Sequence, residues 1–236
     1  MKICIIHGSP RKGNTLFATE IFKEALQKQG EYQFTEFFLP KDLPRFCHGC
    51  YVCFEKGEDK CPNAGYVQPI ATAIREADGL VITSPVYSLA ESAAVKTLLD
   101  HLSYNYMNHR PTEEMFSKVA MVITTTAGYG TNHAIKPIRR TFRYWGMRRI
   151  TSLGLTIFAK EWVEMDERKQ QKFKSLIARK AQTFSKMLVK RKQLQPMLFT
   201  RFFFQVCKRL ISGYTDDHPD KIYWKQQGWL DKKRPF

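Results

Sequence analysis

The stretch Ile3-Cys4-Ile5-Ile6-His7-Gly8-Ser9-Pro10-Arg11-Lys12-Gly13-Asn14-Thr15-Leu16 decides how the chain folds. Its short apolar run has the character of a strand buried on both faces. The run passes directly into a glycine-containing turn, after which Leu16, Phe17, Ile21, Phe22 and Leu26 recur at helical spacing from about Thr15 to Lys28. Such a turn, opening a helix, directs backbone N–H groups and the positive helix end at one point, and Ser9, Asn14 and Thr15 add short donors. The segment is therefore an anion site. No Gly-Lys-Ser/Thr closes the loop and no Gly-x-Gly-x-x-Gly is present, which disfavours ATP and a dinucleotide pyrophosphate and favours a single terminal phosphate.

Working outward, apolar runs at Ile3 to His7, Tyr32 to Phe38, Leu80 to Thr83, Val119 to Thr124 and Leu153 to Phe158 predict five strands. Between and after them, helical spacing covers about Thr15 to Lys28, Val67 to Glu76, Ser92 to Tyr106, Asn132 to Tyr144 and Asp166 to Lys190. Strict alternation of strand and helix predicts an α/β fold with a parallel sheet covered on both faces. Ligands of such sheets bind beyond the carboxyl ends of the strands, so the segments after strands one, three and four are candidate sites. The loop from Pro40 to Gly65 and everything after about Arg191 depart from the pattern. We therefore expect a domain over 1–190, with a cysteine loop at 40–65, and a C-terminal extension over 191–236.

With 236 residues, 43% of them hydrophobic and 25% charged, the chain has material for a sizeable core, and a disordered or fibrous protein is excluded. The net charge of +16 is uneven: Arg168 to the C-terminus holds 18 basic and 4 acidic residues, whereas the first 167 positions have a net charge of only +2. The short apolar start, running into Gly-Ser-Pro, does not resemble a signal peptide, and no window reaches the ~20 apolar residues of a membrane span. A cytoplasmic location is expected. Six cysteines in such a chain are expected to be thiols or metal ligands rather than disulfides.

Three segments together resemble a known family. Gly8-Ser9-Pro10-Arg11 with Gly13-Asn14-Thr15, then Ser84-Pro85-Val86-Tyr87, then Thr124-Thr125-Thr126-Ala127-Gly128-Tyr129-Gly130 are similar to the FMN-binding segments of the flavodoxin-like NAD(P)H-dependent FMN reductases. The resemblance spans roughly residues 1 to 165. It implies a doubly wound five-stranded parallel sheet of order 2-1-3-4-5, with FMN as cofactor and NAD(P)H as co-substrate. It also implies that Ser9, Arg11, Gly13, Asn14, Thr15 and Leu16 hold the phosphate and ribityl end. Pro85, Val86 and Tyr87 would line the isoalloxazine ring, and Thr126, Ala127 and Gly128 would close its other edge. The residues have their own logic too: Pro85 fixes φ, so Thr83 to Tyr87 makes a stiff turn, expected to present free backbone N–H groups with Tyr87 as a stacking surface. No side chain is expected to act as a general base, because the chemistry is the flavin's. Tyr104, Tyr106, Met107 and His109 are candidates to roof the substrate side.

Cys47, Cys50, Cys53 and Cys61 form a C-x2-C-x2-C-x7-C pattern. Such spacing suits a [4Fe–4S] cluster, while a structural zinc and redox-active thiols stand as alternatives. The pattern is similar to the compact motif of the iron–sulfur flavoproteins, a branch of the same flavodoxin-like group, and that resemblance favours a cluster. His48 is read as a loop side chain; Cys4 and Cys207 are read as small buried hydrophobes. These features predict an NAD(P)H-dependent oxidoreductase passing electrons through FMN to an unidentified acceptor. The alternative is an electron carrier with the same groups, docking to a redox-protein partner.

The extension alternates basic residues with Met197, Leu198, Phe199, Phe202, Phe203, Phe204, Val206, Leu210 and Ile211, a pattern for a helix that buries one face. A second subunit, in a dimer or tetramer, is the leading candidate for its partner, alongside packing on the chain's own body. Contact with an anionic membrane surface stands as a less favoured alternative, and nucleic acid is set aside. The aromatic segment Tyr223 to Leu230 is expected to pack on the body or on a neighbour.

Overall fold

A computed structural model describes residues 1–236. Five strands, β1 (Lys2–His7), β2 (Gln33–Phe38), β3 (Gly79–Pro85), β4 (Val119–Thr126) and β5 (Arg149–Thr156), form one sheet of order β2-β1-β3-β4-β5. Every neighbouring pair is parallel. The architecture is thus the expected flavodoxin-like α/β fold. The fifth strand begins at Arg149 rather than Leu153, because its register continues β4 pairing from Val119↔Arg149 to Thr126↔Thr156. Phe158 lies beyond the strand end with φ of 55°.

Alternation along the strands divides the core. Cys4, Ile6, Leu80, Ile82, Ala120 and Val122 face α3 (Ala64–Glu76), α4 (Ala93–His101) and α5 (Thr131–Tyr144). Ile3, Ile5, Val81, Met121 and Ile123 face α1 (Asn14–Gln27) and α6 (Glu167–Lys190). Both faces are covered, so the strands read as continuous apolar runs rather than as alternating ones. The cysteine loop carries the single turn α2 (Val52–Glu55). The helix expected from Ser92 to Tyr106 stops at His101 and gives way to a 3-10 turn over Ser103–Asn105.

The extension folds into α7 (Leu198–Ser212) and α8 (Pro219–Gln226). Phe204, Cys207, Ile211, Trp224 and Trp229 bury themselves with Met107 and Phe116 of the body. Phe204 stacks on Trp224 at 4.8 Å and meets Phe116 edge-on at 5.9 Å. The buried face of α7 thus packs on the chain's own body, and a second subunit is not what covers it. Leu198, Phe202, Val206 and Leu210, one turn apart on the other face, remain exposed. No helix is long and apolar enough to cross a membrane.

Lys118, buried just ahead of β4, donates to the carbonyls of Arg75, at 2.7 Å, and Ala77. Burial pushes its ammonium from near 10.5 down to about 8. Between those values the unfolded chain holds more protons than the folded one, so Lys118's contribution to stability rises with pH there. The unfolding free energy of the wild type relative to Lys118→Met should therefore increase from pH 8 to pH 10.5 in denaturant titrations. A flat difference would show that the group titrates alike in both states.

Candidate functional site

At the carboxyl end of the sheet, a cavity of about 560 Å³ opens among the loops after β1, β3, β4 and β5. Ser9, Arg11, Gly13, Asn14, Thr15, Pro85, Val86, Tyr87, Thr126 and Ala127 line it, as the sequence suggested. Leu16 and Gly128 do not. Thr125, Phe158, Ala159 and Lys160 line it as well and were missed. The last three follow β5, which the order β2-β1-β3-β4-β5 places next to β4; a strand end followed by an aromatic and a lysine was the available signal.

The loop after β1 is held by backbone approach. Gly8 donates its N–H to the Thr83 carbonyl at 2.8 Å, and its own carbonyl accepts from Ser92 Oγ at 2.6 Å. Ser92 N–H in turn donates to Ser84 Oγ at 2.9 Å, and Ser84 Oγ donates to the Pro85 carbonyl at 2.8 Å. One chain of hydrogen bonds thereby ties the first loop to the Pro85 turn. A Cβ on Gly8 would lie 2.5 Å from the Thr83 oxygen and 2.4 Å from Val95 Cγ2, so only glycine fits. Helix α1 starts without a side-chain cap, and the amides of Asn14, Thr15 and Leu16 make no hydrogen bond. Three free donors at a helix N-terminus suit a phosphate. Thr15 Oγ1 bonds Thr125 Oγ1 at 2.6 Å, and Asn14 Nδ2 donates to the Lys160 carbonyl at 3.2 Å, leaving Asn14 Oδ1 buried and unpaired.

The Pro85 turn differs from expectation in one respect. The Val86 N–H donates to Thr125 O at 2.9 Å and the Tyr87 N–H to Ala90 O at 3.0 Å, so neither is free for a ring. The reason is that β3 pairs with β4 as far as Pro85↔Thr125, carrying the ladder into the motif. The chain then turns through Ser88 and Leu89, both left-handed with φ of 49° and 62°. Such a conformation in two non-glycine residues costs on the order of 1–2 kcal/mol each. Leu89 packs against the glycine before α5: a Cβ on Gly130, where φ is 101°, would come within 2.9 Å of Val86 Cγ1 and 3.2 Å of Leu89 Cα. The loops after β3 and β4 are interlocked there.

Helix α4 ends early, and the following segment folds back under the extension, so the proposed roof is not a roof. Tyr104 and Met107 are buried in the core, and Tyr106 bonds Thr141 Oγ1 at 3.2 Å. None of the four lines the flavin-sized cavity.

Cys47, Cys50, Cys53 and Cys61 line one second cavity of about 890 Å³, together with His48, Phe54, His101, His109, Tyr214, His218 and Asp220. His101 and His218 had no sequence signal, because only folding brings them there, and His109, expected at the substrate side, lies here instead. Burial and the neighbouring thiols Cys61, Cys47 and Cys50 push the Cys53 thiol up, while the Arg110 charge opposes them. No three His, Cys, Asp or Glu side chains converge to the distances of a single ion. Cys4 and Cys207 are buried in the core, as expected.

Residues 1–159 match the profile of the NADPH-dependent FMN reductases. The chain belongs to that family. It is an NAD(P)H-dependent, FMN-containing oxidoreductase. The reductase is 27% identical over 237 residues to an iron-sulfur flavoprotein of Archaeoglobus fulgidus, covering 98% of this chain and 100% of the relative. A second iron-sulfur flavoprotein, from Methanocaldococcus jannaschii, is 42% identical over 103 residues, which is 42% of this chain and 51% of that one. Among solved structures, an FMN-dependent NADH-azoreductase of Bacillus anthracis in complex with FMN superposes with a TM-score of 0.61 at 13% identity. It covers 78% of the reductase and 100% of that chain, a likeness of fold alone.

Proposed function

We propose that the reductase oxidises a reduced nicotinamide at FMN held beyond β1, β3 and β4, and passes the electrons through a [4Fe–4S] centre in the cysteine loop to an external acceptor. One observation carries this reading. Tyr87 lines both the flavin-sized cavity and an adjoining hollow of about 320 Å³, whose wall includes Arg45 and Phe46, the residues just ahead of Cys47. The hollow beside the flavin-sized cavity thus extends to the residues that lead into the cysteine loop. Bound FMN would supply an acceptor for hydride and a donor of single electrons. The amides of Asn14, Thr15 and Leu16, with Ser9 and Arg11, would hold its phosphate, and the interlocked Pro85 turn would set the plane of the ring. Residues 1–190 would carry this machinery, with 191–236 as the appended extension.

The test is an absorption spectrum of protein purified without oxygen, before and after reduction, with the cofactor released by heat and nicotinamide oxidation followed in parallel. Flavin with a broad shoulder that bleaches on reduction is expected, and Cys50→Ser should remove the shoulder while sparing the flavin. Flavin alone would demote the cysteines to thiols. Oxidation no faster than by free FMN would make the protein a carrier, and a colourless protein that refuses FMN would refute the proposal.

The exposed row Leu198, Phe202, Val206 and Leu210 is a contiguous apolar patch of the kind that marks interfaces, and we assign it to self-association. Phe202→Glu should lower the sedimenting mass to that of one chain, 27.6 kDa, without loss of flavin. An unchanged mass would exclude this face.

A further inference from the structure

Where the extension borders the cysteine site, it forms a buried ion pair that the proposed electron path does not use. Asp220, in the first turn of α8, and Arg110, in the segment after α4, are both nearly inaccessible to solvent, at 3% and 8% exposure. Arg110 Nη1 lies 2.5 Å from Asp220 Oδ1, and the other carboxylate oxygen is 2.9 Å from His109 Nδ1. Nη2 donates to the carbonyl of Cys53, Nη1 also donates, at 3.3 Å, to that of Phe54, and Glu58 stands 3.8 Å from Nε. Phe54 packs on the His109 ring at 4.6 Å, and Trp224 Nε1 donates to the His109 carbonyl at 2.8 Å.

The carbonyls involved need this partner. Helix α2 is a single turn entered through left-handed Tyr51, with φ of 58°; the Phe54 and Glu55 N–H groups donate to the Tyr51 carbonyl and the Lys56 N–H to that of Val52, so no backbone N–H reaches the Cys53 and Phe54 carbonyls. A helix this short leaves its last carbonyls without an intrahelical partner, and those of the half-buried Cys53 and Phe54 are satisfied by the guanidinium. A planar guanidinium can bond both carbonyls and still face a carboxylate, whereas an ammonium cannot match that geometry. A buried arginine in turn needs its counter-ion, since removing one partner of a buried pair leaves an uncompensated charge.

We propose that Arg110 is the positioning residue of the four-cysteine site: held by Asp220 of the extension, it fixes the turn that carries Cys53 and sets a positive charge beside whatever anionic metal–thiolate centre those cysteines hold. The loop's conformation then depends on the extension being docked. The charge component rests on the cluster reading above; the positional component does not. A fixed positive charge favours the more negative, reduced state of such a centre, so it raises the midpoint potential.

The experiment uses the full-length chain with Arg110→Gln, Arg110→Lys and Asp220→Asn. In metal-free protein, amide hydrogen exchange of Val52 to Lys56 should be about tenfold faster in Arg110→Gln and Asp220→Asn, equivalent to ~1.4 kcal/mol of lost local stability. FMN content should stay at the wild-type level, because none of these residues lines the flavin cavity. In iron-reconstituted protein, Arg110→Gln should lower the midpoint potential, and Arg110→Lys, which keeps the charge but not the fork, should restore it while leaving exchange fast. Unchanged exchange of Val52 to Lys56 in both Arg110→Gln and Asp220→Asn overturns the clamp, whether or not iron binds. Failure of the wild type to take up iron would overturn the cluster reading and the charge component, and the exchange result would still decide the positional one.

Discussion

Gly8→Ala should cost about 3 kcal/mol of stability and weaken FMN binding by on the order of tenfold or more. The new methyl would meet the Thr83 carbonyl oxygen at 2.5 Å and Val95 Cγ2 at 2.4 Å, and a backbone oxygen in a parallel ladder cannot rotate away as a side chain would. Relief has to come from displacing the loop after β1. That breaks the bond from Ser92 Oγ to the Gly8 carbonyl and shifts the three free amides at the start of α1, on which phosphate binding would depend. Urea denaturation and the flavin-to-protein ratio after gel filtration measure the two effects. Stability and flavin content both at wild-type levels would mean that the loop yields more readily than its hydrogen bonds indicate.

Phe204→Ala should have the largest effect on stability alone, about 3–5 kcal/mol. The ring is fully buried between Trp224, Trp229, Phe116 and Phe236, with centroids at 4.8, 5.7, 5.9 and 5.3 Å. Its removal leaves a cavity bounded by rigid aromatic side chains, which cannot collapse to fill it. The loss is expected to fall on the extension first, because that small core is separate from the two that flank the sheet. Unfolding followed by tryptophan fluorescence, which reports Trp224 and Trp229 together with Trp145 and Trp162 of the body, should gain an early phase at lower denaturant than unfolding followed by flavin release. Coincident transitions at the wild-type midpoint would show that the aromatic cluster contributes little.

Most of the cavity proposed for flavin was legible because its parts are local. A strand that ends in a glycine turn and a capless helix start is one contiguous segment, and the same holds for Ser84 to Tyr87 and for Thr124 to Gly128. The misreadings occurred where hydrogen bonds between segments decide. Whether the Val86 amide is free depends on the Thr125 carbonyl, 39 positions on, and nothing near Val86 records it. The residues after β5 were missed for the same reason: Phe158 and Lys160 enter the site because β5 pairs with β4.

By itself, the sequence determined the α/β fold, the sheet's two covered faces, the position of the glycine loop after β1 and the grouping of four cysteines, all of which follow from periodicity and short-range spacing. Only the tertiary structure decided what the extension covers. Apolar period shows that one face of α7 must be buried but carries no record of its partner, and the partner proved to be Met107 and Phe116 of the same chain. It likewise decided that Asp220 meets Arg110 across 110 positions to hold the cysteine turn. Charges so far apart in the chain have no spacing rule, because the packing of the elements between them sets their distance.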